Sequence, residues 1–329
     1  MIKHRLFWPA LALVVLLLGN LVFTPHFFSI EVRNGQLYGS LIDILRLSAP
    51  LILVSVGMTL VIATGGIDLS VGSVMAVSGA LACLYISSDG SVLVACVLAL
   101  GLALVLGLWN GFLVAVVGLQ PIIATLILMV AGRGLAQLIT EGQIITVNSP
   151  AYRFIGAGYF LTFPFAVIIA AVVVALSAVL IRRTALGMLV ESVGGNARAS
   201  RLAGIQSRTL IWAVYAFTGF CAGIAGLMAT ANVSSADGNA VGSLIELNAI
   251  LAVVIGGTSL AGGRFSIAGT VIGALLIQAL DTTIYTTGVP AQTTQLFKAL
   301  VVIVLCLMQS PVFRRKLLGV RRPTAEVPA

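Results

Sequence analysis

Between Gly90 and Gly132 the chain runs for 43 residues without a charged side chain. A single helix of that length would reach about 64 Å at 1.5 Å per residue, roughly twice the thickness of a bilayer's hydrocarbon core. The run must therefore cross twice, and Trp109-Asn110-Gly111 and Gln120-Pro121 mark where it breaks. Further uncharged runs of spanning length are Leu6–Ile30, Leu47–Ile67, Leu69–Ser88, Phe154–Ile181 and Thr209–Ala236. Three weaker candidates follow, near 244–262, 266–286 and 295–313. Only 9% of the residues are charged, against roughly 25% in soluble domains. So few charges cannot cover the surface of a water-soluble fold of this size. The expectation is an all-α integral membrane protein, one domain over residues 1–329, with about ten transmembrane helices. A count of eight or nine is the alternative, because the last third is less cleanly divided.

The basic residues orient these crossings. Twelve of the eighteen Lys and Arg fall in three places: Lys3 and Arg5, the segment 182–208, and the tail from Arg314 to Arg322. Arginine-rich short loops stay on the cytoplasmic side. Ten crossings put both termini on that side, and the count independently places the 182–208 loop there too. The external segments are then about 29–41, 141–160, 232–243 and 287–294. The net charge of +8 is accounted for by this topology, so no nucleic-acid partner is expected.

The amino-terminal run is longer than a secretory signal's apolar core and lacks a small-x-small cleavage site, so it reads as a retained first span. Cys83, Cys96, Cys221 and Cys306 all sit in apolar runs without CxxC spacing, which predicts neither a disulfide nor a metal site.

Catalytic and nucleotide-binding signatures are missing. No GxxxxGK[ST], HExxH or GxSxG occurs, and both histidines lie within the first 26 residues. If the chain does work against a gradient, the energy must come from another chain or from an ion. Ion relays leave charged residues in the middle of spans. Here Asp68 lies in a glycine turn, Glu246 and Asp281 lie near helix ends, and Arg133 lies towards the outer half of the fifth span. Such scarcity disfavours an ion-coupled secondary sugar transporter, the principal alternative. A membrane-embedded glycosyl or lipid transferase would need acidic ligands at a membrane face, and no DxD-type cluster exists.

Glycine pairs at GxxxG spacing, Gly107/Gly111, Gly219/Gly223 and Gly269/Gly273, suit close helix packing. Asn110, Gln137 and Gln278 are uncharged polar residues inside spans, able either to line a sugar-permeable path or to tie helices together. Asp68, beside Gly65 and Gly66 at a helix start, reads as a cap in preference to a substrate contact, and Ser70 offers the same role to the following helix. An internal echo relates Gly65-Gly66-Ile67-Asp68-Leu69-Ser70-Val71-Gly72 to Gly256-Gly257-Thr258-Ser259-Leu260-Ala261-Gly262-Gly263. Transporters are commonly built from such repeats.

The first of those segments resembles the signature of permeases in the ribose/galactose/arabinose class of bacterial ABC sugar importers. Pro121-Ile122-Ile123-Ala124-Thr125-Leu126, Gly194-Gly195-Asn196 and Ala252 to Leu260 resemble further family motifs in the same order. Gly57 to Gly65 and Ala124 to Gly134 most resemble permeases of galactofuranose importers. The family often has Glu-Leu-Asp-Ala-Ile where this chain has Glu246-Leu247-Asn248-Ala249-Ile250, which puts transfer of any role of that acid in doubt.

The resemblance implies a multi-pass permease of the bacterial inner membrane that is not itself an enzyme. It implies a cytoplasmic ABC ATPase holding ATP and Mg²⁺, a periplasmic sugar-binding protein, and a second permease, identical or related. No cofactor or metal is expected on this chain, whose other contact is membrane lipid. The implied cargo is galactofuranose or a related aldose, moved by alternating access. Within the 182–208 loop the resemblance implies a coupling helix, and Ala185–Val193 is long enough for about two helical turns. Gly187, Gly194 and Gly195 are expected to break it at either side, with Leu186, Met188, Leu189 and Val190 giving it an apolar face. Leu186, Gly187, Met188, Glu191, Gly194, Gly195 and Asn196 are thus the expected ATPase-coupling residues. Gly65, Gly66, Asp68, Ser70, Gly72, Gly256, Gly257 and Ser259 are the family signature turns.

Overall fold

The computed structural model describes residues 2–23, 27–33, 35–288 and 291–309. The basic tail Arg314 to Arg322 and the side chain of Cys306 lie outside the described part. Thirteen α-helices occur among the described residues. Six helical stretches are long and apolar enough to cross a membrane: Ser40–Ala63, Val92–Val117, Pro121–Ile139, Phe165–Arg183, Ser207–Val233 and Ile267–Thr286. Shorter apolar helices accompany them, among them Leu6–Leu21, Val71–Ser87 and Ile245–Ile255.

In chain order the helices are α1 (Ile2–Phe23), α2 (Ser40–Ala63), α3 (Val71–Ser87), α4 (Val92–Phe112) and α5 (Pro121–Ile139). Then come the short α6 (Pro150–Ala157), α7 (Phe165–Arg183), α8 (Leu186–Gly195), α9 (Ala197–Leu202) and α10 (Ser207–Val233). The chain continues through α11 (Ile245–Ile255), α12 (Ile267–Thr286) and α13 (Ala291–Gln309). The 43-residue run breaks at Gln120-Pro121 as expected, whereas Trp109-Asn110-Gly111 lies inside α4 and breaks nothing. A π-helical stretch at Leu113–Val117 and left-handed Gly118 end the first half, and Pro121 begins α5 at a position where its missing N–H costs nothing.

Three expected boundaries move. The run Phe154–Ile181 is not one helix: α6 and the two-residue strands Tyr159–Phe160 and Phe163–Pro164 precede α7. α2 begins at Ser40, seven residues before the expected Leu47. The span near 244–262 is a helix of only 11 residues, α11, about 16 Å long. A non-helical stretch from Gly256 to Ser266 follows it.

The core is built on α2 and α10. From Leu51 to Ala63 every residue of α2 is buried, enclosed by α7, α10, α11 and α12. α10 packs on α2, α3, α4 and α6. The glycine pairs make the approaches close: a Cβ on Gly219 would fall 2.7 Å from the Cα of Gly107, and one on Gly107 3.0 Å from the Cα of Gly219. Gly269 and Gly273 face the backbones of Gly256 and Ala252 in the same way, joining α12 to α11. Polar links across the core include Thr59 with Thr270 at 2.7 Å and the Tyr152 hydroxyl with Thr230 at 2.6 Å. Cys83, Cys96 and Cys221 are free thiols.

The short pair Ile145–Thr146 and Ser235–Ala236 joins the ends of α5 and α10 opposite the Arg182–Arg208 loop. The end of the bundle bearing that loop is termed the basic end below.

Candidate functional site

At the basic end, α2 and α11 close in the same way. Gly65 N–H bonds to Ile62 O (2.9 Å) and Gly66 N–H to Val61 O (3.0 Å). Gly257 N–H bonds to Val254 O (2.9 Å) and Thr258 N–H to Val253 O (3.2 Å). Both are Schellman closures, with glycine in the left-handed conformation at φ +85°. The correspondence is Gly65 with Gly257, one residue off the register suggested by the sequence echo. α3, α5 and α9 end with the same closure, so the turn alone does not make a repeat. What pairs these two is that they meet. Gly263 N–H donates to Ala63 O at 2.9 Å, and a Cβ on Gly262 would lie 3.2 Å from the Cα of Gly65.

Each turn then restarts a helix from a serine. The Asp68 carboxylate accepts from Ser70 N–H (2.9 Å) and from the Ser70 hydroxyl (2.6 Å), ordering the entry into α3. Ser70 does not cap α3 with its own oxygen; that oxygen accepts from the Asn110 amide at 2.7 Å. In the other turn Ser266 N–H donates to Thr258, and the Ser266 hydroxyl accepts from Gly269 N–H to cap α12. Asp68, Ser70 and Asn110 are all buried to 2% exposure or less. Asn110 thus ties α4 to the signature turn and, in this conformation, lines no open path. Gln278 is half-buried on α12.

The third party at this junction is α8. It is helical from Leu186 to Gly195, so neither Gly187 nor Gly194 breaks it, contrary to the expected glycine boundaries. Asn196 ends it instead, with its Oδ1 accepting from Ala199 N–H to cap α9. Glycine is needed in α8 for approach. Gly187 packs on the Ile181 carbonyl, and Gly194 lies directly against Ala63 O and Gly263 N. Val190 and Val193 are buried beside it. Leu186 at the start of α8, Met188 on the face away from Val190, and Glu191 are exposed, with Met188 70% exposed. Gly195 has nothing within reach of an added Cβ. A cavity of about 700 Å³ flanks α8, lined by Leu6, Ile181, Arg182, Met188, Glu191 and Arg264 among others.

Of the sequence-predicted residues, Gly65, Gly194, Gly257 and their turns converge. Ser259 is exposed, its hydroxyl accepting from Ala261 N–H. Gly72 lies away from the junction, its backbone against Gly242. Gln137 stands near the far end of α5, bonded to Asn239. Sequence reasoning missed Ala63, Gly262 and Gly263 as partners of Gly194, because backbone-to-backbone contact leaves no signal beyond the glycines themselves. It also missed the partners of two charges. Arg133 donates to the carbonyls of Gly238 (3.1 Å), Asn239 (3.3 Å) and Val241 (2.7 Å). Lys298 reaches Asp281 at 2.8 Å and Asn248 at 3.3 Å. A charged residue in an apolar run was the available clue to both.

A polytopic helical bundle with no nucleotide-binding motif, a surface helix locked onto two membrane-helix turns and a polar break before α11 has the architecture of a transport permease. Comparison with known proteins assigns the family. Residues 40–306 match the family model described as branched-chain amino acid transport system / permease component, and the chain belongs to this family. It is 48% identical to the galactofuranose transporter permease protein YtfT of Escherichia coli K12, over 97% of this chain and 95% of that one. It is 45% identical to the fructose import permease protein FruF of Bifidobacterium longum, covering 94% and 89%. It is 37% identical to the ribose import permease protein RbsC of E. coli K12, covering 91% and 92%. No solved structure matches.

Proposed function

We propose that this chain is the transmembrane subunit of an ATP-driven, binding-protein-dependent sugar importer in a bacterial inner membrane. It crosses ten times with the basic end in the cytoplasm, α11 and its flanking turns together making one crossing. Galactofuranose or a related aldose is the cargo that fits its relatives. A second permease completes the pathway, a periplasmic protein delivers the sugar, and a cytoplasmic ATPase carrying ATP and Mg²⁺ drives the cycle.

The observation that carries this reading is the contact of Gly194 with Ala63 and Gly263. α8 offers Leu186, Met188 and Glu191 outward and seats Gly194 against the ends of both signature turns. A force applied to its outer face is transmitted to α2 and to the α11–α12 turn through backbone atoms, without flexible side chains between. Packed interfaces of this kind shift between discrete arrangements instead of deforming smoothly. That is the mechanical requirement for coupling ATPase closure to alternating access.

The test is uptake of labelled sugars into proteoliposomes holding the permease, its ATPase and the binding protein. Uptake should require all three components and ATP. Transport that persists without the ATPase would overturn the reading in favour of an ion-coupled transporter.

A further inference from the structure

The chain between α10 and α11 is non-helical from Asp237 to Leu244, and it lies within the depth of the bundle. Gly238 packs on Ala136, fifteen residues into α5, and Gly242 packs on Gly72 at the start of α3. At 1.5 Å per residue, Ala136 stands about 22 Å above the first residue of α5, a helix about 28 Å long. Gly132, which packs on Ser73, stands about 16 Å above it. The segment therefore descends from the outer third of the membrane towards its midplane.

Its outer surface is open. Asn239, Ala240, Ser243 and Leu244 are exposed, and Gln137 beside them is half-buried. Irregular backbone at this depth does not face lipid; it is found buried in protein or lining a water-filled cavity. Its inner surface is fixed from behind. Arg133 spends its guanidinium on three carbonyls of the segment, and Gln137 donates to the Asn239 side-chain oxygen. The guanidinium is thus turned inward beside the half-buried carboxylates of Asp237 and Glu246, and the fully exposed groups are neutral: an amide, a hydroxyl and peptide groups, with apolar Leu244 and Leu247 alongside.

We propose that Gln137, Asn239 and Ser243, with the exposed backbone of 238–244, form a sugar-contacting station in the translocation path. The inference rests on the importer reading above. Neutral donors and acceptors exchange hydrogen bonds with hydroxyl groups without holding a charged ligand. Leu244 and Leu247 supply apolar surface for the C–H faces of a pyranose or furanose ring. Among the polar span residues Asn110, Gln137 and Gln278, only Gln137 belongs to this station.

Single cysteines at 239 and 243 test it, placed in a transport-competent version of the full complex lacking the native thiols. The probe is a membrane-impermeant sulfonated maleimide, applied to proteoliposomes with the binding protein and labelled galactofuranose, fructose and ribose. Both positions should be modified from water, the transported sugar should slow modification several-fold, and modification should abolish uptake while binding-protein-stimulated ATP hydrolysis continues. Asn239→Ala and Gln137→Ala should lower sugar moved per ATP by about 3- to 10-fold, the scale of one lost hydrogen bond. Two results would overturn the station while the parent complex still imports sugar. One is absence of modification in every nucleotide state, with a disulfide forming between two copies at 239 or 243, which marks a permease–permease contact. The other is modification that neither sugar nor transport registers. Failure of the parent complex to import any sugar with ATP would instead remove the importer reading itself.

Discussion

The carbonyl oxygen of Ala63, at the end of α2, occupies the space that a Cβ on Gly194 would need. The same Cβ would lie 2.5 Å from the backbone nitrogen of Gly263. Neither obstacle is the tip of a movable side chain. Overpacking a tight contact costs about 1–3 kcal/mol even where side chains can give. Gly194→Ala should therefore lift α8 off both turns, and sugar moved per ATP should fall by about tenfold or more, the equivalent of 1.4 kcal/mol. Gly195, one residue on, meets nothing, so Gly195→Ala should stay within about twofold of the parent on the same scale. Sequence alone does not separate these adjacent glycines. Equal uptake from both variants in proteoliposomes would remove the junction from the coupling mechanism.

Asp68 is predicted to act on the fold. Its Oδ1 accepts from both the N–H and the hydroxyl of Ser70, and all of these groups are buried. Asp68→Ala leaves a buried N–H without its acceptor, a loss of about 1–3 kcal/mol. Asp68→Asn keeps an oxygen in place and should lose less. Thermal unfolding of the detergent-solubilised protein should rank the parent above the asparagine variant, and that above the alanine variant. Unchanged melting together with altered sugar preference would mean that the residue touches substrate.

The helices were readable because their signals are local. Uncharged length located most of the spans, Gln120-Pro121 located a break, and the arginines of 182–208 located the basic loop. What was not readable is who stands opposite whom. Gly72 reads as part of the same signature as Gly65, yet one packs on Gly242 and the other at the α8 junction. α11 looked like a full span because Ala249 to Ile255 is apolar, whereas Asp237 to Leu244 folds back into the bundle as turns. There Arg133 supplies the hydrogen bonds that a helix would have made internally. No periodicity in sequence encodes a guanidinium bonded to carbonyls more than 100 residues away.

Contact between α4 and α10 should depend on the absence of side chains at Gly107 and Gly219. A Cβ on Gly219 would fall 2.6 Å from Ala103 O, and one on Gly107 would fall 2.6 Å from Tyr215 O. Gly219→Leu should separate the helices and break the Trp212 Nε1–Leu108 O hydrogen bond of 2.8 Å. Gly101, on the same helix as Gly107, has no atom near an added Cβ and serves as the control. Gly101→Leu should melt within a few degrees of the parent, and Gly219→Leu should melt well below both. Indistinguishable melting of the two leucine variants would show that the glycine spacing is incidental.

Lys298 is 6% exposed, and its ammonium lies 2.8 Å from the Asp281 carboxylate and 3.3 Å from the Asn248 side-chain oxygen. The contact links α11, α12 and α13, and it gives Asn248 a structural place as an uncharged acceptor beside an ion pair. Removing one member of a buried pair strands the other and costs about 3–5 kcal/mol, whereas replacing both with apolar groups is often neutral or stabilising. Lys298→Met should therefore destabilise strongly, and adding Asp281→Leu should restore most of the loss. Asn248→Asp would set a second carboxylate against the one ammonium. In the parent that raises the local negative charge, but in an Asp281→Asn background it should take over as the partner of Lys298. The readout is the thermal midpoint of the four combinations at positions 248 and 281. Rescue of Asp281→Asn by Asn248→Asp requires that the two sites share one cation. Additive losses would mean that the ammonium does not serve both.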